Sequence, residues 1–325
     1  MHAIDQITLP TPFPVGPVHA YLLHGEPLTL LDTGPCTPQA EAALRAGLAA
    51  HGIAFSDIER IVISHSHADH YGLVGPIAAA GHAEVWTHPL AHPIIEAWND
   101  YLEPRASFIL DVLLAAAVPA EQAQLTAQLY GAMRTYTTAA PVTHLLAEGD
   151  TLEMADATWQ VLHCPGHAAD LLCFFQPEAH LLLGNDHLLR HISSNAVLSP
   201  PDLGETQRRQ PLVDYWHSLA RVAALPVNTV LPGHGEIVTD PLGVIAQRRN
   251  LYERRLTRLA DEIKKGPRTA WQLAQTLFRS LDDADTFLAV SEVIGHLDVL
   301  QNDGVANLAV DAAGVEWFQA THSST

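Results

Sequence analysis

Apolar residues recur along the chain at two periods, and the change from one to the other predicts short strands alternating with helices. Residues 20–32, AYLLHGEPLTLLD, read as two β-rich runs around a Gly-Glu-Pro turn, a hairpin pattern. Residues 39–51 are rich in Ala and Leu at helical spacing, and 58–64 (IERIVIS) form a β-branched run that stops at a histidine cluster. Further strand signals lie at 85–87, 159–163, 171–175, 180–183 and 228–231, with turns at Pro165-Gly166, near Pro177 and at Pro232-Gly233. Between about 89 and 141 the period is helical, with Pro93, Pro104 and Pro119 at break or first-turn positions, which predicts a helical insertion. Short strands and helices with loops at the strand ends describe an αβ-layered domain closing near residue 240.

Beyond that point the pattern changes. A long helix is predicted over 243–265, broken by Gly266-Pro267, then a second from Arg268 or Thr269 to Phe278 and a third over about 284–301. Two short strands at 305–310 and 314–319 surround a turn at 311–314. Helix, helix, helix and hairpin make a small winged-helix-like unit. The expected division is therefore 1–240, with the insertion at about 89–141, followed by 241–325.

Composition narrows the class. The chain has 325 residues, 48% of them apolar and 16% charged, which fits a folded chain with a sizeable core. A formal net charge of −19 repels phosphate backbones and anionic membrane surfaces, so a nucleic-acid partner is disfavoured. Winged helices often bind DNA, yet residues 266–325 carry as bases only Arg268 and Arg279 against eight acidic residues. Packing over an active-site rim or homodimerisation are the uses expected of that unit instead. The longest largely apolar stretch, the 13 residues 106–118, is too short for a membrane span. The first residues show no basic-then-apolar secretory pattern, and Cys36, Cys164 and Cys173 form no disulfide framework, so cytoplasmic residence is expected. Histidine is in surplus, 20 copies against 17 Lys plus Arg, and metal binding is the first reason to test.

The densest chemistry is His65-Ser66-His67-Ala68-Asp69-His70, directly after an apolar strand and followed by Gly72. Imidazoles and carboxylates at a strand end are donors that zinc, iron or manganese accept. Three later positions repeat the arrangement: His167 after Cys164-Pro165-Gly166, Asp186 after Leu183-Gly184-Asn185, and His234 after Leu231-Pro232-Gly233. A loop His or Asp alone is commonly a solvated or capping residue; four such sites after four apolar runs point to one metal centre.

In these residues the chain resembles the metallo-β-lactamase superfamily, whose H-x-H-x-D-H motif, later His, bridging Asp and final His occur in the same order over about residues 5–240. The resemblance implies an α+β fold, an αββα sandwich, with two divalent metal ions, zinc foremost and iron or manganese as alternatives. It assigns His65, His67 and His167 to the first ion, Asp69, His70 and His234 to the second, and Asp186 as the bridge. Asp32, in Leu31-Asp32-Thr33-Gly34, matches the family's buried acidic residue behind the histidine loop. Many members place the bridging carboxylate immediately after glycine, whereas here Asn185 intervenes between Gly184 and Asp186. Asn185 as ligand would remove the negative bridge, so Asp186 is retained.

The activity so implied is a hydrolase in which a water shared by two cations is deprotonated near neutral pH and attacks an electrophilic centre, with Asp69 as both ligand and proton carrier. A small-molecule carboxylic thioester, ester or lactone is the leading substrate class. The insertion, with Ile94, Ile95, Trp98, Phe108, Ile109, Leu110, Val112, Leu113 and Leu114, offers a lid or a partner surface that would suit a hydrophobic acyl group, or else an added core or a dimer interface. A phosphodiesterase or ribonuclease is one alternative, and a non-enzymatic winged-helix regulator another; an oxygen-reducing diiron protein would carry glutamate where His67 stands. Arg190 and His191 are candidates to touch substrate. Seven basic residues between Arg248 and Lys265 either attract an anionic group or form a solvated face paired with Glu253, Asp261 and Glu262.

Overall fold

Strands and helices follow one another through the first half of the chain as β1 (Ile4–Leu9), β2 (Val18–Leu23), β3 (Thr29–Leu31), α1 (Pro38–Ala49), β4 (Arg60–Val62), α2 (Ala68–Tyr71), α3 (Val74–Gly81), β5 (Glu84–Thr87), α4 (His92–Ala115), α5 (Ala120–Ala132) and β6 (His144–Leu145). There follow β7 (Thr151–Met154), β8 (Ala157–His163), β9 (Leu172–Gln176), β10 (Leu181–Asn185), α6 (Pro211–Ala223), β11 (Thr229–Pro232), α7 (Pro241–Lys264), α8 (Ala270–Leu277), α9 (Thr286–Asn302), β12 (Ala306–Val310) and β13 (Glu316–Ala320). The structure is a computed structural model describing residues 4–201, 205–278, 281–283 and 285–321, with the backbone alone for 98–103. The side chain of Trp98, and Arg279 and Ala284, lie outside the described residues.

Two compact units are present: Met1–Tyr101, Met133–Ser194 and Ser218–Ile245 form the first, and Leu102–Ala132, Asn195–His217 and Ala246–Thr325 the second. In the first, a six-stranded sheet runs in the order β1-β2-β3-β4-β5-β6 and a five-stranded sheet in the order β11-β10-β9-β8-β7. The period-2 alternation of strand side chains explains how they stack. Ala20 and Leu22 of β2 turn to a core shared with Leu44 and Leu48 of α1 and with Val74 and Ile77 of α3. Their neighbours Tyr21 and Leu23 turn the other way, into a core with Trp159 and Val161 of β8, Phe174 of β9 and Leu183 of β10. One sheet thus has helices on its outer face and the second sheet on its inner face, an α+β arrangement as expected.

This architecture brings loops together. Among the strands that precede them, β10 and β11 are parallel neighbours, with Asn185 opposite Pro232, so the residues following each emerge side by side. The backbone N–H of Leu172 in β9 donates to the carbonyl of Ser64 beyond β4, at 2.8 Å, and joins the two sheets at the same edge.

In the second unit, α7, α8 and α9 precede the antiparallel hairpin β12–β13. Leu259, Ile263, Leu273, Phe287, Val293, Leu297 and Phe318 form its core. α8 opens with a reciprocal cap in which Thr269 accepts from the Gln272 N–H at 3.3 Å and Gln272 accepts from the Thr269 N–H at 3.2 Å. The insertion's apolar residues are consumed by cores: Ile94 and Ile95 in the first unit, Ile109 and Leu113 in the second, with Phe108, Leu110 and Val112 packed against the latter. Leu114 alone of those described is exposed. The buried ones are therefore added core. Asp261 and Glu262 pair with Lys264 and Lys265 at 3.0 and 2.7 Å, and Arg255 pairs with Glu292, as a solvated helix with one buried contact would. No described helix is long and apolar enough to cross a membrane.

Trp159 is 1% exposed and its indole N–H donates to the Met154 carbonyl at 2.9 Å. Trp159→Ala should therefore destabilise the fold by about 3–5 kcal/mol in urea unfolding. A loss below about 1 kcal/mol would mean that the inter-sheet core is not where the stability resides.

Candidate metal centre

After β4 the chain passes through a loop to His67, whose backbone is extended, then turns into α2, where the N–H groups of His70 and Tyr71 return to the His67 carbonyl. His65 and His67 thus leave from the loop, and Asp69 and His70 from a single helical turn. His67 Nδ1 lies 3.1 Å from His65 Nε2 and 2.9 Å from His167 Nε2. His234 Nε2 stands 3.3 Å from Asp69 Oδ2 and 3.5 Å from Asp186 Oδ2, while Asp186 also approaches His70 Nε2 at 3.5 Å and His167 Nε2 at 3.4 Å. Three overlapping sets result, with donor atoms within 4.8 Å of one another: His65, His67 and His167; Asp69, His70 and His234; and His65, His70 and Asp186. All seven side chains singled out from the sequence as metal ligands are brought together.

The outer nitrogens of three imidazoles are held from behind. Asp32 is 1% exposed and accepts from the Ser64 N–H at 2.8 Å, the Ser64 hydroxyl at 2.7 Å and His70 Nδ1 at 2.8 Å. Because the Ser64 hydrogen is committed to Asp32, its oxygen accepts from His65 Nδ1 at 3.0 Å. His234 Nδ1 donates to the Pro17 carbonyl at 2.8 Å. In each case Nε2 is left directed into the cluster, the tautomer a metal requires. Nε2 of His70, Nε2 of His234 and Oδ1 of Asp186 are buried and make no hydrogen bond. Among the described residues their ion-pair approaches are those of 3.3–3.5 Å given above; a buried polar atom without a hydrogen bond costs about 1–3 kcal/mol, so three at one point fit a cation.

Electrostatics separates the members. Burial holds His65 well below the ordinary histidine value and lowers His167. Burial opposes ionisation of Asp186, yet His234 and His70 outweigh it and hold the carboxyl well below its usual range. Against burial, Asp186 and Asp32 raise His70 well above the usual value, and Asp186 and Asp69 raise His234. These carboxylates thus favour positive charge at this point, the charge that a divalent cation would supply.

Close packing explains the local sequence. A Cβ on Gly233 would fall 2.1 Å from Asp186 Oδ1 and 2.9 Å from His70 Cε1, so only glycine fits between His234 and β11. Asn185 turns away: its amide donates to the Leu172 carbonyl at 2.8 Å, and the carboxylate in the cluster is that of Asp186. Arg190 and His191 both approach the exposed carboxylate of Glu236, at 2.5 and 3.7 Å.

Sequence reasoning missed three supports. Asp170 accepts from the Ser66 N–H at 2.7 Å and fixes the histidine loop; its signal was only its place three residues after His167. Tyr21 donates to the Pro232 carbonyl at 2.5 Å, and His19 Nε2 donates to the Gly235 carbonyl at 2.8 Å, so both hold the turn carrying His234. Neither lies near a motif.

Residues 13–234 match the family described as Metallo-beta-lactamase superfamily, and 256–321 match Metallo-beta-lactamase-like, C-terminal domain. The chain is 36% identical over 295 residues to "Probable metallo-hydrolase YqjP" of Bacillus subtilis (strain 168), covering 91% of each chain. It is 28% identical to a metallo-beta-lactamase family protein from Thermus thermophilus, whose crystal structure aligns with a TM-score of 0.82 over 99% of both chains. Thioesterase pkgB of Emericella nidulans is 26% identical over 224 residues, 69% of this chain and 47% of the fungal protein.

Asp32 sits at φ 60°, a backbone region that Asn also tolerates, so Asp32→Asn tests its charge and acceptor role with the turn retained. Metal affinity, measured by competition with a chelator, should fall by about 10–100-fold. Affinity unchanged within about twofold would remove Asp32 from the account.

Proposed function

The chain belongs to the metallo-β-lactamase superfamily, and from that membership we propose that it is a binuclear metal-dependent hydrolase of carboxylic thioesters, esters or lactones. The observation that carries this reading is the overlap of three donor sets around one buried point. We assign His65, His67 and His167 to one ion, Asp69, His70 and His234 to the other, and Asp186 to both. The nitrogen and oxygen donors suit zinc, with iron and manganese compatible. When bound, two divalent cations supply an acidified water and polarise the oxygen of the group under attack.

The chain's own residues do the rest. Asp32 and Ser64 orient His70 and His65, the Pro17 carbonyl orients His234, and Asp170 fixes the loop between His65 and His67. Asp69, whose Oδ2 faces His234 Nε2, is the group we assign to take the proton from the attacking water and pass it to the leaving group. Arg190 and His191, on the loop after Asp186, are our candidates for contact with substrate. The likeness to a protein named as a thioesterase supports the acyl class, and the net charge of −19 disfavours polyanionic substrates. We read residues 1–240 as the catalytic domain and 241–325 as a winged-helix-like appendage, although Leu102–Ala132 and Asn195–His217 group with the latter in the second compact unit.

Metal analysis together with a panel of thioester, lactone, β-lactam and phosphodiester substrates tests the proposal. Two metal equivalents at the central cluster and preferential turnover of a thioester or lactone are expected. Asp186→Ala and His167→Ala should each lower kcat/KM on the order of 10³-fold or more, about 4 kcal/mol of transition-state stabilisation, together with metal content. Preferred turnover of the phosphodiester would transfer the site to phosphoryl chemistry, and full activity without metal would overturn the assignment.

A further inference from the structure

We infer that the chain carries a separate cation site at Asp5, His24 and His51, suited to zinc or another divalent transition metal. One donor atom from each of these side chains lies within 4.8 Å of the others, a set distinct from the three that form the central cluster. Asp5 Oδ2 receives both imidazoles, His24 Nε2 at 2.7 Å and His51 Nδ1 at 3.4 Å. The rings of His24 and His51 are 5.5 Å apart between centroids. Two imidazoles and a carboxylate are a donor set that zinc accepts, with further positions open to water.

Three segments place these groups. Asp5 lies on β1 in register with Leu22, His24 is the residue after β2, and His51 follows the C-terminal cap of α1. The carbonyl end of a helix carries partial negative charge, which favours a cation beside His51. Ion-pair partners of Asp5 among the described residues are the two histidines, with no Lys or Arg competing. The side chains are 25%, 26% and 33% exposed for His24, Asp5 and His51: held by their surroundings, yet open to an ion arriving from solvent.

The site is remote from the central cluster. His19, near the start of β2, bonds through its N–H to the Gly233 carbonyl beside His234, whereas His24 lies beyond the opposite end of that strand. Five residues at about 3.4 Å each separate them by roughly 17 Å. An ion here would tie the end of α1 to the β1–β2 edge and stabilise the fold by linkage, independently of the reaction assigned to the centre.

The test is calorimetric titration of Zn²⁺ into protein already loaded at the central cluster, compared with His24→Ala, His51→Gln and Asp5→Asn, and with His217→Ala as an exposed-histidine control. The parent and the control should show one further saturable event, weakened tenfold or more in each of the three variants. Excess Zn²⁺ should also raise the melting temperature of the parent and not of the variants. The readout is the difference between proteins, so it stands whatever the central cluster holds. Unchanged circular dichroism and central metal content in the polar variants His51→Gln and Asp5→Asn secure the comparison. No further saturable event, or affinity within twofold of the parent in all three variants, overturns the inference.

Discussion

Converging lone pairs inside a protein repel one another and lose water, so they stay together only where a positive charge compensates them. That constraint governs the first unit of this chain. Five imidazoles and two carboxylates share one buried region, and three of their donor atoms have no hydrogen-bond partner. The supporting contacts follow from it: Asp32 behind His70, Ser64 behind His65, the Pro17 carbonyl behind His234. Each commits the outer nitrogen and so determines what the inner one can do.

The two sheets serve that arrangement. Side chains on alternate faces of β2 seal one core against α1 and α3 and another against β8 and β9, which leaves the strand ends as the places where polar groups can meet. β4 and the parallel pair β10–β11 deliver their following loops to the same edge. Gly233 permits the closest approach there, since any side chain would displace Asp186.

The parts legible in the sequence were those with a strong local signature. The β-branched run before His65 and the Pro-Gly turns before His167 and His234 marked strands ending at ligating side chains, and the observed β4, β8 and β11 end there. The helices and hairpin after residue 240 were equally plain, because Gly266-Pro267 and the turn at 311–314 punctuate them. Edge strand β1 was not anticipated, since its polar Asp5, Gln6 and Thr8 interrupt the apolar signal. α2 is four residues long, too short to show a period, and β6 has only two residues. Asp170, His19 and Tyr21 support the site through contacts between distant segments, which no local pattern contains. The apolar insertion read equally as lid or partner surface and as core or dimer interface, and the packing of Ile94, Ile95, Ile109 and Leu113 places those residues in core.

The most direct measurement is anomalous diffraction at the zinc edge from crystals of the zinc-loaded protein. Two peaks about 3.5–4 Å apart are expected at the central cluster, apart from any peak at Asp5, His24 and His51, with His65, His67 and His167 at about 2.0–2.2 Å from one, Asp69, His70 and His234 at a similar distance from the other, and Asp186 touching both. A single peak there, or ions held by other side chains with these seven uncoordinated, would contradict the account.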